Sequence, residues 1–129
     1  MNTPEGIKYS KTDEWVKVNG NSAKIGISDF AQDQLSDIVY IEFNKEVGDS
    51  VEKGQVLATI ESVKAAADVI CPISCKVVEV HESLLDTPEL LNDDPYEDGW
   101  LFSVELIKLS ELDELFDSKE YDVFCESRH

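Results

Sequence analysis

Hydrophobic and polar residues alternate in short runs along most of the chain, a pattern typical of β-strands. The alternating runs at 14–18 and 23–27 flank Asn19-Gly20-Asn21, and this combination predicts a β-hairpin. Apolar residues fill every position of 38–41, which predicts a strand buried on both faces. Further strands are predicted at 55–60, 66–70 and 101–106.

Helix starts are marked by side-chain oxygens that can accept hydrogen bonds from free backbone amides. The candidates are Ser28 before a helix at 29–35, Thr87 with Pro88 at the first helical position, Ser110 with Asp113 as a capping-box-like start for 111–116, and Ser118 before a final helix at 119–126.

A weak internal repeat suggests how the strands are arranged. The segment 54–57 resembles 75–78, and each copy follows a turn and enters a β-branched strand. Two such units, each too small to bury its own face, predict two small antiparallel sheets packed around a pseudo-twofold axis. With 129 residues and no linker or low-complexity tract, a single mainly β domain is expected.

Charge narrows the possible partners. The formal net charge is −17, and from Glu82 onward 15 acidic residues face three basic ones. Such a chain repels phosphate backbones and anionic lipids, so it is not expected to bind nucleic acid or a membrane surface. The acid either steers the chain toward basic patches on protein partners or simply keeps it in solution.

No run is long enough to span a membrane, and the first residues resemble neither a signal peptide nor a transit peptide. A cytoplasmic location is expected, or the mitochondrial matrix if the chain is a trimmed eukaryotic precursor. A monomer is expected.

The three cysteines predict no disulfide framework. If 71–75 is extended, Cys71 and Cys75 lie about 13 Å apart, beyond disulfide reach. Their spacing matches no zinc pattern, and only His81 and His129 could add ligands. We therefore expect reduced, structural thiols at Cys71, Cys75 and Cys125.

The usual catalytic constellations do not occur in the sequence. Neither a supported Ser-His-Asp set nor a phosphate-binding glycine loop is present. The acidic loop at 93–98 has oxygen ligands but not the spacing and central glycine of a calcium-binding EF-hand. An enzyme in its own right is not expected.

One lysine stands out because of its position. Lys64 lies at the tip predicted between the strands at 55–60 and 66–70, among small residues. A lysine in a turn is ordinarily just solvated, but a single amine on a rigid hairpin also suits acylation by a modifying enzyme. The hairpin Glu61-Ser62-Val63-Lys64-Ala65 resembles that of lipoyl-bearing domains. Biotin carriers usually place methionines where Val63 and Ala65 stand, which favours lipoate.

Over nearly its whole length, the chain resembles the H-protein family of the glycine cleavage system. The similar segments are Glu14-Trp15-Val16, Ile25-Gly26-Ile27, Ala31-Gln32, the lysine hairpin, Asn92 with Asp94-Pro95-Tyr96, Gly99-Trp100 and Ser110-Glu111-Leu112. The resemblance implies a barrel-sandwich hybrid of two small antiparallel sheets, with the N-terminal strand pair at 14–27, the lysine hairpin core at 37–81 and a C-terminal strand and helices at 101–126.

The resemblance also implies a non-catalytic carrier. Lipoate would be joined by an amide to Lys64, take an aminomethyl group from a glycine decarboxylase (P protein), deliver it to an aminomethyltransferase (T protein) and be reoxidised by dihydrolipoamide dehydrogenase (L protein). Lipoate-attaching enzymes are further expected partners. In the family a hydroxyl and two carboxylates hold the amine of the loaded arm, and these positions read Thr12, Glu14 and Asp68 here.

The chain departs from the family pattern at three positions. Asp13 replaces a common histidine, and Ser36 and Cys75 stand where glycine is frequent. Cysteine at 75 would be strained if the turn there required a positive φ. Two other roles remain open: an H-like lipoyl relay that donates lipoate to dehydrogenase complexes, and an unlipoylated scaffold.

Overall fold

The computed structural model describes residues 2–128, which form two antiparallel sheets and a few short helices. The strands are β1 (Lys8–Tyr9), β2 (Glu14–Asn19), β3 (Ser22–Ile27), β4 (Ile38–Phe43), β5 (Ser50–Val51), β6 (Val56–Ser62), β7 (Ala66–Ile70), β8 (Cys75–Val80) and β9 (Phe102–Leu106). The α-helices are α1 (Asp29–Leu35), α2 (Leu90–Asp93) and α3 (Ser118–Glu126), and 3-10 turns occupy Glu82–Leu85 and Leu109–Glu114.

The two sheets differ in size. The larger has the order β1-β2-β3-β9-β8-β5, and the smaller has the order β4-β6-β7. Most of the apolar core lies in one cluster that draws on both sheets. The predicted mainly β fold with two antiparallel sheets and helices is confirmed. The larger sheet has six strands because the N-terminal strands join it at β9.

The predicted hairpin at the N-terminus is confirmed. Strands β2 and β3 pair in register from Glu14 opposite Ile27 to Asn19 opposite Ser22. The two-residue connection places Gly20 at a φ of 66°, a conformation that glycine adopts without the steric cost of a side chain. Alternation and turn chemistry thus specify the same structure.

Among the predicted helix starts, the one at Ser28 is confirmed and the one at Ser118 is not. Ser28 caps α1 as expected, because its hydroxyl accepts a hydrogen bond from the amide of Ala31. The cap of α3 is Asp117 rather than Ser118, since Asp117 and Glu120 form a reciprocal capping box. The expectation for Ser118 was therefore wrong by one residue.

The other two predicted helices are shorter or of another type. The helix expected after Thr87 is the four-residue α2, and the Thr87 hydroxyl instead donates to the carbonyl oxygen of Ser83. The segment predicted as a helix at 111–116 is the 3-10 turn Leu109–Glu114, which has no side-chain cap. Its Glu111 carboxylate instead accepts hydrogen bonds from the amide and hydroxyl of Ser74.

An aromatic cluster joins both ends of the chain to the larger sheet. Tyr9 of β1 stacks on Tyr121 of α3 with ring centroids 4.5 Å apart. Trp15 of β2 lies opposite Gly26 of β3, where an added β-carbon would be 2.6 Å from the indole. The indole N–H donates to the carbonyl oxygen of Pro95 and so holds the acidic loop against β2. The N-terminal strands, the loop and α3 are thereby packed together.

Candidate functional site

A tightly bonded turn presents Lys64. Strands β6 and β7 pair up to Glu61 opposite Ala66, and the amide of Ser62 donates to the carbonyl oxygen of Ala65 over 2.8 Å. The Ser62 hydroxyl accepts hydrogen bonds from the amides of both Lys64 and Ala65. These bonds fix the backbone of the turn, while the Lys64 side chain is exposed.

The hairpin tip also contacts the last turn of α1 and the residues that follow it. The amide of Val63 donates to the carbonyl oxygen of Asp37 over 3.0 Å. The amine Nζ of Lys64 lies 3.4 Å from the carbonyl oxygen of Gln34. Because Gln34 also lines a surface cavity beside the hairpin, the lysine reaches the rim of that cavity.

The cavity encloses about 170 Å³ between β2, α1 and the lysine hairpin. Its lining includes each of the side chains that the resemblance assigns to docking of the arm, namely Thr12, Glu14 and Asp68. Apolar lining side chains come from both sheets and from α1: Ile27, Ala31, Leu35, Ile60, Ala67 and Val69. We call this cavity the hairpin cleft. It combines the carboxyl groups of Glu14 and Asp68 and the hydroxyl of Thr12 with apolar walls, and Asp13 also lines it.

Glu14 forms the buried end of the cleft. Its Oε1 accepts hydrogen bonds from the hydroxyls of Ser10 (2.7 Å) and Thr12 (2.5 Å). Its Oε2 accepts one from the backbone amide of Ile70 over 3.0 Å. Glu14 is only 1% exposed, yet both of its oxygens have partners. These three hydrogen bonds fix the orientation of the Glu14 carboxyl group.

The environment of Glu14 changes its acidity. Burial raises the pKa of Glu14 from 4.5 to about 7, although the hydrogen bonds from Thr12, Ser10 and Ile70 act in the opposite direction. A positive charge arriving in the cleft would favour the ionised form. Near neutral pH, a cation in the cleft would therefore shift Glu14 toward its ionised form.

Asp68 supplies the second carboxylate from the exposed wall. It lies on β7 opposite Thr59 of β6, whose hydroxyl donates to it over 3.1 Å. Since Asp68 and Lys64 belong to the same hairpin, their separation depends on the short, hydrogen-bonded turn. Glu14 and Asp68 thus give the cleft one buried and one exposed carboxyl group.

Asp13 has a structural role that the sequence did not reveal. It adopts a positive φ of 76°, and its carboxylate accepts a hydrogen bond from Tyr121 and pairs with Arg128 at 2.6 Å. The Arg128 guanidinium lies against Phe30 and Phe124, at 4.1 and 4.2 Å from the ring centroids. The partners of Asp13 lie more than 100 residues away along the chain, so no local pattern could indicate them.

Ser36 and Cys75, the other two departures from the family pattern, have different structural consequences. Ser36 ends α1 at φ 64° and ψ −152°, a conformation that glycine adopts more easily, and Asn92 binds its carbonyl oxygen. Cys75 lies within β8, opposite Val51 and Leu106, and is not among the described residues with positive φ. The strain considered for cysteine at this position does not arise.

The predicted separation of Cys71 and Cys75 is wrong. Their sulfur atoms are 3.9 Å apart, because the chain bends at Pro72 and Ile73 instead of remaining extended. Both are buried free thiols, as is Cys125.

Residues 2–128 contain neither a metal-binding cluster nor a membrane-spanning helix. No three His, Cys, Asp or Glu side chains are grouped so that they could hold a metal ion. No helix in this part of the chain is both long and apolar enough to cross a membrane. His129 lies outside the described residues.

Comparison with known proteins places the chain among close relatives. The family model for the glycine cleavage H-protein matches residues 7–128. The chain is 50% identical over 125 residues to the glycine cleavage system H protein of Coprothermobacter proteolyticus, covering 96% of this chain and 98% of that protein. It is 52% identical to the Thermotoga maritima H protein, covering 92% and 94% of the two chains.

A solved structure shows the same fold. The crystal structure of a glycine cleavage system H protein from Mycobacterium marinum superposes with a TM-score of 0.84 at 32% identity, covering 93% of this chain and 96% of the other. A mitochondrial relative, the glycine cleavage system H protein 2 of Arabidopsis thaliana, is 49% identical and covers 93% of this chain and 76% of that protein.

Proposed function

Because this chain belongs to the glycine cleavage H-protein family, we propose that it is a non-catalytic carrier with lipoate joined to Lys64 by an amide bond. A modifying enzyme needs an accessible amine in a fixed backbone setting. Lys64 meets both requirements, since its side chain is exposed and its turn is fixed by the bonds to Ser62.

The chemistry of such a carrier belongs to its cofactor. When bound, lipoate supplies a disulfide that can accept an aminomethyl group together with electrons. The partners we propose are the glycine decarboxylase that loads the carrier, the aminomethyltransferase that unloads it, the dihydrolipoamide dehydrogenase that reoxidises it and the enzymes that attach lipoate.

The residues of the chain would hold the cargo rather than react with it. We assign Thr12, Glu14 and Asp68 to docking of the loaded arm in the hairpin cleft. The cargo amine is basic, so as an ammonium it can donate hydrogen bonds to the two carboxylates and to the hydroxyl. The apolar walls suit the hydrocarbon part of the arm and keep water from the cargo.

One observation carries this proposal. The Lys64 amine reaches the carbonyl of Gln34, and Gln34 lines the same cleft as Thr12, Glu14 and Asp68. A lipoyl relay that only passes on its cofactor has no need of paired anions within reach of its lysine. The cleft therefore favours the glycine cleavage carrier over the relay.

The first test is attachment. The chain incubated with lipoate, ATP and a lipoate-attaching enzyme should gain the mass of one lipoyl group. Lys64→Arg should gain none, whereas the matched control Lys76→Arg, altered at an exposed lysine of β8, should be modified like the wild type. A wild-type chain that stays unmodified would contradict the carrier role.

The second test separates the carrier from the relay. The lipoylated chain should support glycine-dependent release of CO₂ by a purified glycine decarboxylase, and Lys64→Arg should not. Transfer of lipoate to a dehydrogenase complex without any glycine-dependent CO₂ release would identify the relay instead.

A further inference from the structure

The close pair Cys71 and Cys75 is not used in the proposed function. Their sulfurs lie 3.9 Å apart, near van der Waals contact, and both side chains are at most 1% exposed. A disulfide requires the sulfurs to approach to about 2.05 Å, so closure has to move the two side chains and the bent segment between them. The pair is thus close to bonding geometry.

Contacts on both sides hold the turn between the two cysteines. The Glu111 carboxylate accepts hydrogen bonds from the amide (2.7 Å) and hydroxyl (3.1 Å) of Ser74. The same hydroxyl accepts a bond from the amide of Lys53, and the carbonyl oxygen of Ser74 accepts one from the amide of Ile107. The two sulfurs are therefore kept near each other by the fold.

One of the two cysteines borders a second cavity. It encloses about 320 Å³, and Cys71 lines it together with Thr12, Lys53, Ile70 and Pro72. A small oxidant can enter a space of this size, although bulk solvent barely touches the thiol. Cys75 does not line this cavity, so the two cysteines differ in access.

The two thiols also differ in acidity. A hydrogen bond between the two thiols lowers the pKa of Cys71. The pKa of Cys75 is raised, first by that same bond and then by burial. Cys71 is thereby suited to attack as a thiolate, and Cys75 to follow as the second thiol.

We propose that Cys71 and Cys75 form a reversible disulfide when a hydroperoxide enters the cavity beside Cys71. The Cys71 thiolate attacks one peroxide oxygen, the O–O bond breaks, and a sulfenic acid and water (or an alcohol) result. The sulfur of Cys75 then attacks the Cys71 sulfur, and the displaced hydroxide leaves as water with the Cys75 proton. Two thiols are oxidised by two electrons, and the peroxide is reduced.

Formation of the Cys71–Cys75 disulfide would alter the hairpin cleft. Ile70 precedes Cys71 directly and donates its amide hydrogen bond to Glu14. Drawing the Cys71 side chain toward Cys75 shifts the backbone on which that bond depends. The oxidation state of the pair is therefore coupled to the buried carboxylate of the cleft.

The test uses the full-length chain without lipoate, so that its cysteines are its only thiols and the outcome is independent of the proposed function. Treatment with a few equivalents of hydrogen peroxide should remove the mass of two hydrogen atoms and two of the three thiols. Digestion without reductant should recover Cys71 linked to Cys75, and dithiothreitol should reverse the change. Retention of all three thiols, or a disulfide that involves Cys125, would overturn the proposal.

Two variants refine the test. Cys125→Ala serves as the matched control and should form the disulfide as the wild type does. Cys75→Ser should stop at a Cys71 sulfenic acid that dimedone captures. Because wild type and Cys125→Ala alone decide whether the pair closes, a folding failure of Cys75→Ser leaves the test intact.

Nuclear magnetic resonance tests the coupling to the cleft. The amide resonance of Ile70 should move on oxidation, while that of Lys17, whose side chain pairs with Glu97 of the acidic loop, should not. An unchanged Ile70 resonance in a fully oxidised sample would refute the coupling.

Discussion

The backbone amide of Ile70 donates a 3.0 Å hydrogen bond to Oε2 of Glu14 and so joins the lysine hairpin to strand β2. The two residues are 56 positions apart along the chain, and each lies at the end of its strand. This bond fixes the buried carboxylate relative to the hairpin that presents Lys64. The position of the lysine and the direction of the carboxylate therefore depend on each other.

Replacing Glu14 by glutamine should alter how stability depends on pH. The pKa of Glu14 is raised from 4.5 to about 7, so between these values the folded chain keeps a proton that the unfolded chain releases. The stabilisation is complete below about pH 4.5 and is lost as the pH rises through about 7. Relative to Glu14→Gln, the wild type should lose roughly 3 kcal/mol of unfolding free energy over this range.

Urea unfolding at a series of pH values measures this difference. Glutamine fits the site because the hydroxyls of Ser10 and Thr12 can accept as well as donate hydrogen bonds. Glu61→Gln, which removes an exposed carboxylate of the hairpin, is the control and should follow the wild type. Parallel curves for wild type and Glu14→Gln would show that Glu14 titrates normally.

The cleft variants should accept lipoate but protect the cargo less well. If the cargo ammonium pairs with Glu14 and Asp68, its loss by hydrolysis should be about 10-fold or more faster in Glu14→Gln, because a buried charge-assisted bond is removed. Exposed Asp68→Asn should show a smaller change of a few-fold. Lifetimes on the loaded chain measure both, with Glu61→Gln as the control.

The same experiment has a pH dependence that follows from Glu14. Only the ionised carboxylate pairs with an ammonium, and the ammonium itself favours ionisation, so protection in the wild type should weaken at a pH below about 7. Glu14→Gln lacks the titrating group and should not show this step. Equal lifetimes in all variants would remove the docking assignment while leaving lipoate attachment unaffected.

Local patterns in the sequence were sufficient for much of the fold. Alternation and the turn at Gly20 predicted the first hairpin, and the side-chain oxygen of Ser28 predicted the start of α1. These features depend on neighbours in the chain. The position of Lys64 at a hairpin tip could be predicted for the same reason.

Features that depend on distant contacts could not be predicted. The Asp13–Arg128 pair spans 115 residues, and the backbone hydrogen bond to the Glu14 carboxylate comes from Ile70, 56 residues away. The separation of Cys71 and Cys75 was misjudged because an extended backbone was assumed where the chain bends at Pro72. Sequence spacing alone does not specify how such a bend is held.

The Arg128–Asp13 contact should contribute measurably to stability. Arg128→Met removes a mostly buried ion pair and the contacts with Phe30 and Phe124, and it leaves the Asp13 carboxylate without its cation. We expect a loss of roughly 1–3 kcal/mol in unfolding free energy.

Lys17→Met is the matched control for this variant. It removes the ion pair between Lys17 and Glu97, whose side chains are 46% and 69% exposed, respectively. Because this pair is exposed, the loss in unfolding free energy should be less than about 0.5 kcal/mol. Urea unfolding at low and high salt measures both. Equal losses in the two variants would mean that the burial of the Arg128 pair adds nothing.

The packing of Trp15 on Gly26 predicts a large effect from one methyl group. In Gly26→Ala the new β-carbon would lie 2.6 Å from the indole, and displacing the ring also strains its hydrogen bond to Pro95. We expect a loss of roughly 3 kcal/mol in unfolding free energy. Gly20→Ala is the control, since its β-carbon meets nothing within 4 Å and only its φ of 66° is unfavourable, at about 1 kcal/mol. If the clash is the cause, Gly26→Ala should cost much less in a Trp15→Phe background, and an unchanged cost there would contradict this explanation.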